Sequence, residues 1–196
     1  GNMHMKKNDV DLFFEILSKE WKYSTEIILI GGAAALLYGG IRPTLDVDFQ
    51  FHFKEHCSFD GFSQAISRVI DQTPIQAQFS DNVDRWSSLS FLDFDKHTVF
   101  YKTFSKIKVY LVHPLYWSIG KIGRYLVSDC QDMLAVFKKN TVDPIELAEL
   151  WHKALLNSPR SEQLFVIKKY MIDFFKNYGK NIWGISFDLK KTIELL

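Results

Sequence analysis

Residues 27–51, IILIGGAAALLYGGIRPTLDVDFQF, hold two glycine pairs and end on two acids at alternating positions, Asp46 and Asp48. Ile27 to Ile30 form a short apolar, β-branched run that Gly31-Gly32 stops, which predicts a buried strand and a tight turn. Ala33 to Tyr38 favour helix, and Gly39-Gly40 stands where a C-terminal cap glycine is expected. The segment that follows has period two. Leu45, Val47, Phe49 and Phe51 fall on one face of a strand; Asp46, Asp48, Gln50 and His52 fall on the other.

A glycine pair at a strand-to-helix bend removes side chains, so backbone N–H groups and the helix N-terminus can approach an anion closely. Carboxylates at i and i+2 of a strand share a face and can hold one divalent cation. Mg²⁺ prefers oxygen ligands and binds through one or two carboxylates together with substrate phosphates. A bend that holds phosphates beside a strand that holds their metal is the division of labour needed for phosphoryl and nucleotidyl transfer. Singly, an Asp-x-Asp is most often a solvated strand face and a glycine pair a plain turn. The conjunction of turn, helix, basic residue and carboxylate strand is far more specific.

Outward from this stretch, Val10, Phe13, Phe14, Leu17 and Trp21 recur near helical spacing, so residues 8–22 read as an opening amphipathic helix. A further helix is expected over 60–72, with Phe62, Ile66, Val69 and Ile70 as its stripe. Strands are expected in IQAQF (75–79), SLSFLDF (88–94), HTVFYKTF (97–104) and KIKVYLV (106–112), the last two as a hairpin around Ser105. After Pro114 the pattern is helical, with helices near 114–126, 129–140, 144–156 and 160–177 and another after Trp183. Ser128 to Gln131 has capping-box form, and Asp143-Pro144-x-Glu146 sets a cap, an N1 proline and an N3 acid in order. The expected organisation is α+β: an α/β core over 1–112 and a helical region over 113–196.

The 196 residues carry 24 basic and 23 acidic side chains, a net charge of +1, which argues against a broad electrostatic grip on nucleic acid. Hydrophobic residues at 47% and charged residues at 24% are ordinary globular composition, and 17 Phe, 8 Tyr and 5 Trp predict an aromatic core. Cys57 and Cys130 have no metal or redox spacing, which fits a reduced cytoplasmic setting. No apolar run approaches the roughly 20 residues needed to span a bilayer, and no signal peptide is read at the amino terminus, so no membrane partner is expected. Gly1 ahead of Met3 reads as a tag remnant.

Ile30-Gly31-Gly32, thirteen residues and then Asp46-Val47-Asp48-Phe49 resemble the signature of the nucleotidyltransferase superfamily with the polymerase-β-like fold. The variant GGAAALLYGG-IRPTLDVDF is especially similar to a bacterial subgroup related to the nucleotidyltransferase toxins of abortive-infection toxin–antitoxin systems. There an Arg and a Ser or Thr precede the carboxylate strand, as Arg42 and Thr44 do here. Residues 113–134, HPLYWSIGKIGRYLVSDCQDML, resemble that subgroup's downstream block of proline, apolar helix, Lys-x-x-Arg and two acids. Lys121 and Arg124 lie at i and i+3 on one face with Trp117, apart from the stripe Leu115, Ile119, Ile122 and Leu126. They read either as a solvated basic face or as contacts to a triphosphate or an acidic cofactor group; Asp129 and Asp132 read as cap and ion-pair residues.

The resemblance implies a Mg²⁺-dependent enzyme, with a two-metal site, that moves a nucleoside monophosphate from an NTP substrate to a hydroxyl. The acceptor could be tRNA, a protein or a small molecule, and a small antitoxin would be a possible partner. Asp46 and Asp48 would bind metal, Gly31 and Gly32 would offer backbone donors to the β/γ-phosphates, and Arg42, Lys121 and Arg124 would offset phosphate charge. Thr44 would orient the entry to the metal strand, and the helical region would shape the acceptor site. The superfamily adds a third carboxylate from a later strand. Asp93, in SLSFLDF, is the best candidate; Asp95 falls in the following turn, and Asp81 and Asp84 in the polar loop FSDNVDRW. The alternative is a catalytically inactive nucleotide- or partner-binding module. His52, His56 and Cys57 match no zinc spacing, and Trp151, Phe165, Met171, Phe174 and Phe175 read as packing of the helical region.

Overall fold

A computed structural model describes residues 6–44 and 46–196. The terminal reading of Gly1 and Met3 and the facing of Leu45 lie outside the described residues. The fold is α+β, a five-stranded mixed sheet with flanking helices and a C-terminal helical region. One compact unit takes residues up to 37, 42–83 and 97–112; the other takes 38–41, 84–96 and 113–196.

The first unit contains α1 (Lys7–Glu20), β1 (Thr25–Ile30), α2 (Gly31–Leu37), β2 (Asp46–Phe53), α3 (Phe59–Gln72), β3 (Gln76–Ser80), β4 (Thr98–Phe104) and β5 (Ile107–Val112). The strand order is β3-β2-β1-β5-β4. β1 lies antiparallel to β2 and parallel to β5, β2 is parallel to β3, and β4 and β5 form the expected hairpin, with Ser105 at φ +55° in its turn.

The alternation read in β2 holds: Val47, Phe49 and Phe51 are buried and Asp46, Asp48 and Gln50 half-buried. The inward face meets α1 and α3. Phe14 of α1 contacts Phe49 at 6.1 Å and Phe104 at 5.8 Å between ring centroids, and Phe62 of α3 lies 5.0 Å from Phe51. Phe79 of β3, in register with Phe49, stacks on it at 5.6 Å. These offset and edge-on aromatic pairs add to simple area burial and fix which way each strand faces. The stripe of α1, Val10, Phe13, Phe14 and Leu17, is fully buried.

The second unit contains α4 (Pro114–Arg124), α5 (Val127–Lys139), α6 (Pro144–Leu156), α7 (Glu162–Trp183) and α8 (Leu189–Glu194). Asp143 accepts the Ile145 N–H at 3.3 Å with Pro144 at the first helical position, as the sequence implies. Three expectations change. Helix α5 opens at Val127, not behind Ser128, because Asp129 stands three residues after Leu126 and accepts its N–H at 2.9 Å. Helix α7 runs through Gly179 to Trp183; a Cβ at Gly179 would lie 2.1 Å from the Phe187 ring, which stacks on Trp183 at 5.3 Å. Phe165 is 74% exposed rather than packed, whereas Trp151, Met171, Phe174 and Phe175 are buried as expected. No helix among the described residues is long and apolar enough to cross a membrane.

Candidate functional site

β1 passes into α2 with no intervening loop, and Ile30, its last residue, pairs with Asp48 of β2. The chain can turn there because Gly31 takes φ +63°, a left-handed value that side chains rarely adopt. Space makes the same demand. A Cβ on Gly31 would lie 2.7 Å from Asp48 Oδ2, and one on Gly32 would lie 2.6 Å from Thr44 Oγ1. The glycine bend and the carboxylate strand therefore meet, with only backbone between them. Thr44 closes this corner from the entry to β2, its hydroxyl donating to the Asp46 carbonyl at 3.4 Å.

Asp46 and Asp48 share one sheet face, with their Cα atoms about 7 Å apart by strand rise. Oδ1 of Asp48 is shielded from solvent. Two like charges on one strand face repel, and a divalent cation between them would turn that repulsion into attraction. The donor set, two carboxylates beside bare backbone, suits a hard cation that arrives with phosphate ligands of its own. Helix α2 has only seven residues, so the bend offers close backbone rather than the dipole of a long helix. Arg42 lies in the loop two residues before Thr44, in the same compact unit.

Asp93 does not lie in a strand. Residues 88–93 form bends and a turn before a 3-10 turn at Phe94–Lys96, because local side chains take the backbone donors that a ladder would need. The N–H groups of Leu89, Phe91 and Leu92 go to Ser87 Oγ, Asp84 Oδ1 and Ser90 Oγ, and Leu92 has φ +55°. Asp93 belongs to the helical unit and accepts the Tyr116 hydroxyl at 3.3 Å. Burial first, and then the Asp93 charge, raises the Tyr116 pKa.

The Trp117–Lys121 side of α4 is buried, not a solvated basic face, while Leu126 of the expected core stripe is 55% exposed. Lys121 Nζ lies 2.8 Å from Asp132 Oδ2 and 3.6 Å from Asp129 Oδ1, and 5.7 Å from the centre of the Trp117 ring. Arg124 reaches Asp129 at 2.6 Å with a side chain 61% exposed. The helical unit thus pairs both cations with the two acids that open α5.

His52, His56 and Cys57 form no metal cluster; among the described residues no three His, Cys, Asp or Glu side chains come together to hold an ion. The Cys57 thiol donates to the Glu55 carbonyl at 3.4 Å, and burial, then the Glu55 charge, pushes its pKa up. Gln76 and Gln78 carry no motif that marks them as part of the site. The parallel register sets Gln76 beside Asp46 and Gln78 beside Asp48, on the same face and exposed. The alternation of IQAQF was the available signal; what it lacked was the neighbouring strand.

No protein-family model, curated protein or solved structure matches the chain.

Proposed function

We propose that this chain is a Mg²⁺-dependent nucleotidyltransferase with a polymerase-β-like core, moving a nucleoside monophosphate from an NTP to an acceptor hydroxyl. The observation that carries the reading is the seat of Gly31 against the Asp48 carboxylate, where even a methyl group would collide. A bend stripped of side chains lets a triphosphate lie against backbone donors while its cation sits on Asp46 and Asp48. Bound there, Mg²⁺ would offset the charge of the phosphates. In the transfer the acceptor oxygen bonds to the α-phosphorus, the α–β bridging bond breaks, and pyrophosphate leaves with that electron pair while the hydroxyl proton passes to solvent. Gly31 and Gly32 hold the phosphates, Thr44 fixes the start of the carboxylate strand, and Arg42 supplies positive charge from the adjoining loop. NTP binding measured calorimetrically with and without Mg²⁺ tests this. Binding that requires Mg²⁺ in the wild type and disappears in Asp46→Ala/Asp48→Ala supports it; equal binding by both proteins rejects it.

A second reading, a nucleotide-binding module without turnover, is favoured by the seat of Asp93 in a turn and by the amides of Gln76 and Gln78 flanking the acids. Pyrophosphate release with a panel of NTPs and hydroxyl acceptors separates the two: the enzyme releases it, and the module binds without release.

A further inference from the structure

β2 is an interior strand, and its two flanks differ chemically. On the β1 side Asp48 faces Ile30 and the glycine bend. On the β3 side, where a third acid would most directly join the pair, Asp46 and Asp48 have Gln76 and Gln78 as register partners. The register is held firmly, by Phe79 stacked on Phe49 and by Gln50 Oε1 accepting the Val83 N–H at 3.0 Å just beyond β3. The inference rests on the nucleotide-binding reading above and sharpens it.

We infer that this face holds one divalent cation, not two, because Gln76 and Gln78 fill with neutral amides the flank that a second cation would need as carboxylate. Two carboxylates balance the charge of one divalent ion. A second ion about 3.5–4 Å away would meet its like charge, and the register partners on that flank, Gln76 and Gln78, bring no carboxylate to offset it. An amide brings a single neutral carbonyl to a hard cation, but its NH₂ can donate two hydrogen bonds. Gln78 is therefore suited to a phosphate oxygen beside the one cation, and the site to gripping a metal–triphosphate complex.

The test is equilibrium dialysis of the full chain against Mn²⁺ and non-hydrolysable analogues of the four NTPs, with metal and nucleotide counted per chain against a chamber lacking protein. One Mn²⁺ with one nucleotide supports the inference. Two Mn²⁺ with one nucleotide overturns it and leaves the nucleotide reading standing. Neither bound removes the nucleotide reading and the inference with it. Gln78→Glu, an exposed change with its fold checked by circular dichroism, is expected to raise the metal count from one to two. A count that stays at one removes Gln78 from the role given to it.

Discussion

Asp46 and Asp48 share one strand face with glutamines as neighbours, whereas Asp129 and Asp132 are buried against Lys121, with Arg124 closing over Asp129. Both are pairs of acids close in sequence. In the helical unit each acid has a cation in reach, and Asp129 also accepts a backbone N–H, so its charge is balanced from within the chain. On the sheet the two acids stand two residues apart on one strand face, with the neutral amides of Gln76 and Gln78 as their register partners on β3. The buried cluster explains itself as structure; the sheet pair, beside a glycine bend, is the one the proposed reading gives to a ligand.

Lys121 carries the largest expected effect. Lys121→Met leaves Asp129 and Asp132 buried without their shared cation and should destabilise the protein by about 3–5 kcal/mol, read from urea unfolding. A loss under about 1 kcal/mol would show that the cluster is held otherwise. Gly31→Ala comes next. It puts a side chain at φ +63° and against Asp48, so a loss of about 1–2 kcal/mol is expected together with the loss of Mg²⁺-dependent nucleotide binding. Asp46→Asn should alter stability by no more than about 0.5 kcal/mol while weakening that binding at least tenfold; an unfolding midpoint that falls sharply would make Asp46 structural, like Asp129.

The smallest effect concerns an exposed pair in the sheet unit. The Arg68 hydrogen bond, 2.7 Å to Glu20, holds the Glu20 carboxyl below its ordinary 4.5. A lowered folded pKa means that the stabilisation is present above 4.5 and is lost as pH falls through the folded value. Arg68→Ala should therefore leave stability unchanged in acid below that value, reduce it slightly at neutral pH, and return the Glu20 titration by NMR toward 4.5.

What could be read from the sequence followed the range of the interaction. The period-two pattern of β2 and the Ile30-Gly31 stop are local, and both stand in the fold. SLSFLDF has the same surface pattern as a strand, yet Ser87, Ser90 and Asp84 bond its backbone from nearby in the chain and win over a ladder. Burial of Lys121 depends on Asp132 eleven residues away, across a helix break, which helical spacing alone does not reveal. The meeting of Gly31 with Asp48 was expected from order along the chain; the company of Gln76 and Gln78 needed the parallel pairing of β2 with β3.

That pairing also bears on how the acids respond to whatever binds them. β2 is bonded along both edges, so its backbone cannot widen or narrow the spacing of the two carboxylates without unzipping a neighbour. On the reading proposed above, a bound ion would be accommodated by side-chain torsions rather than by any change in the spacing of the strand.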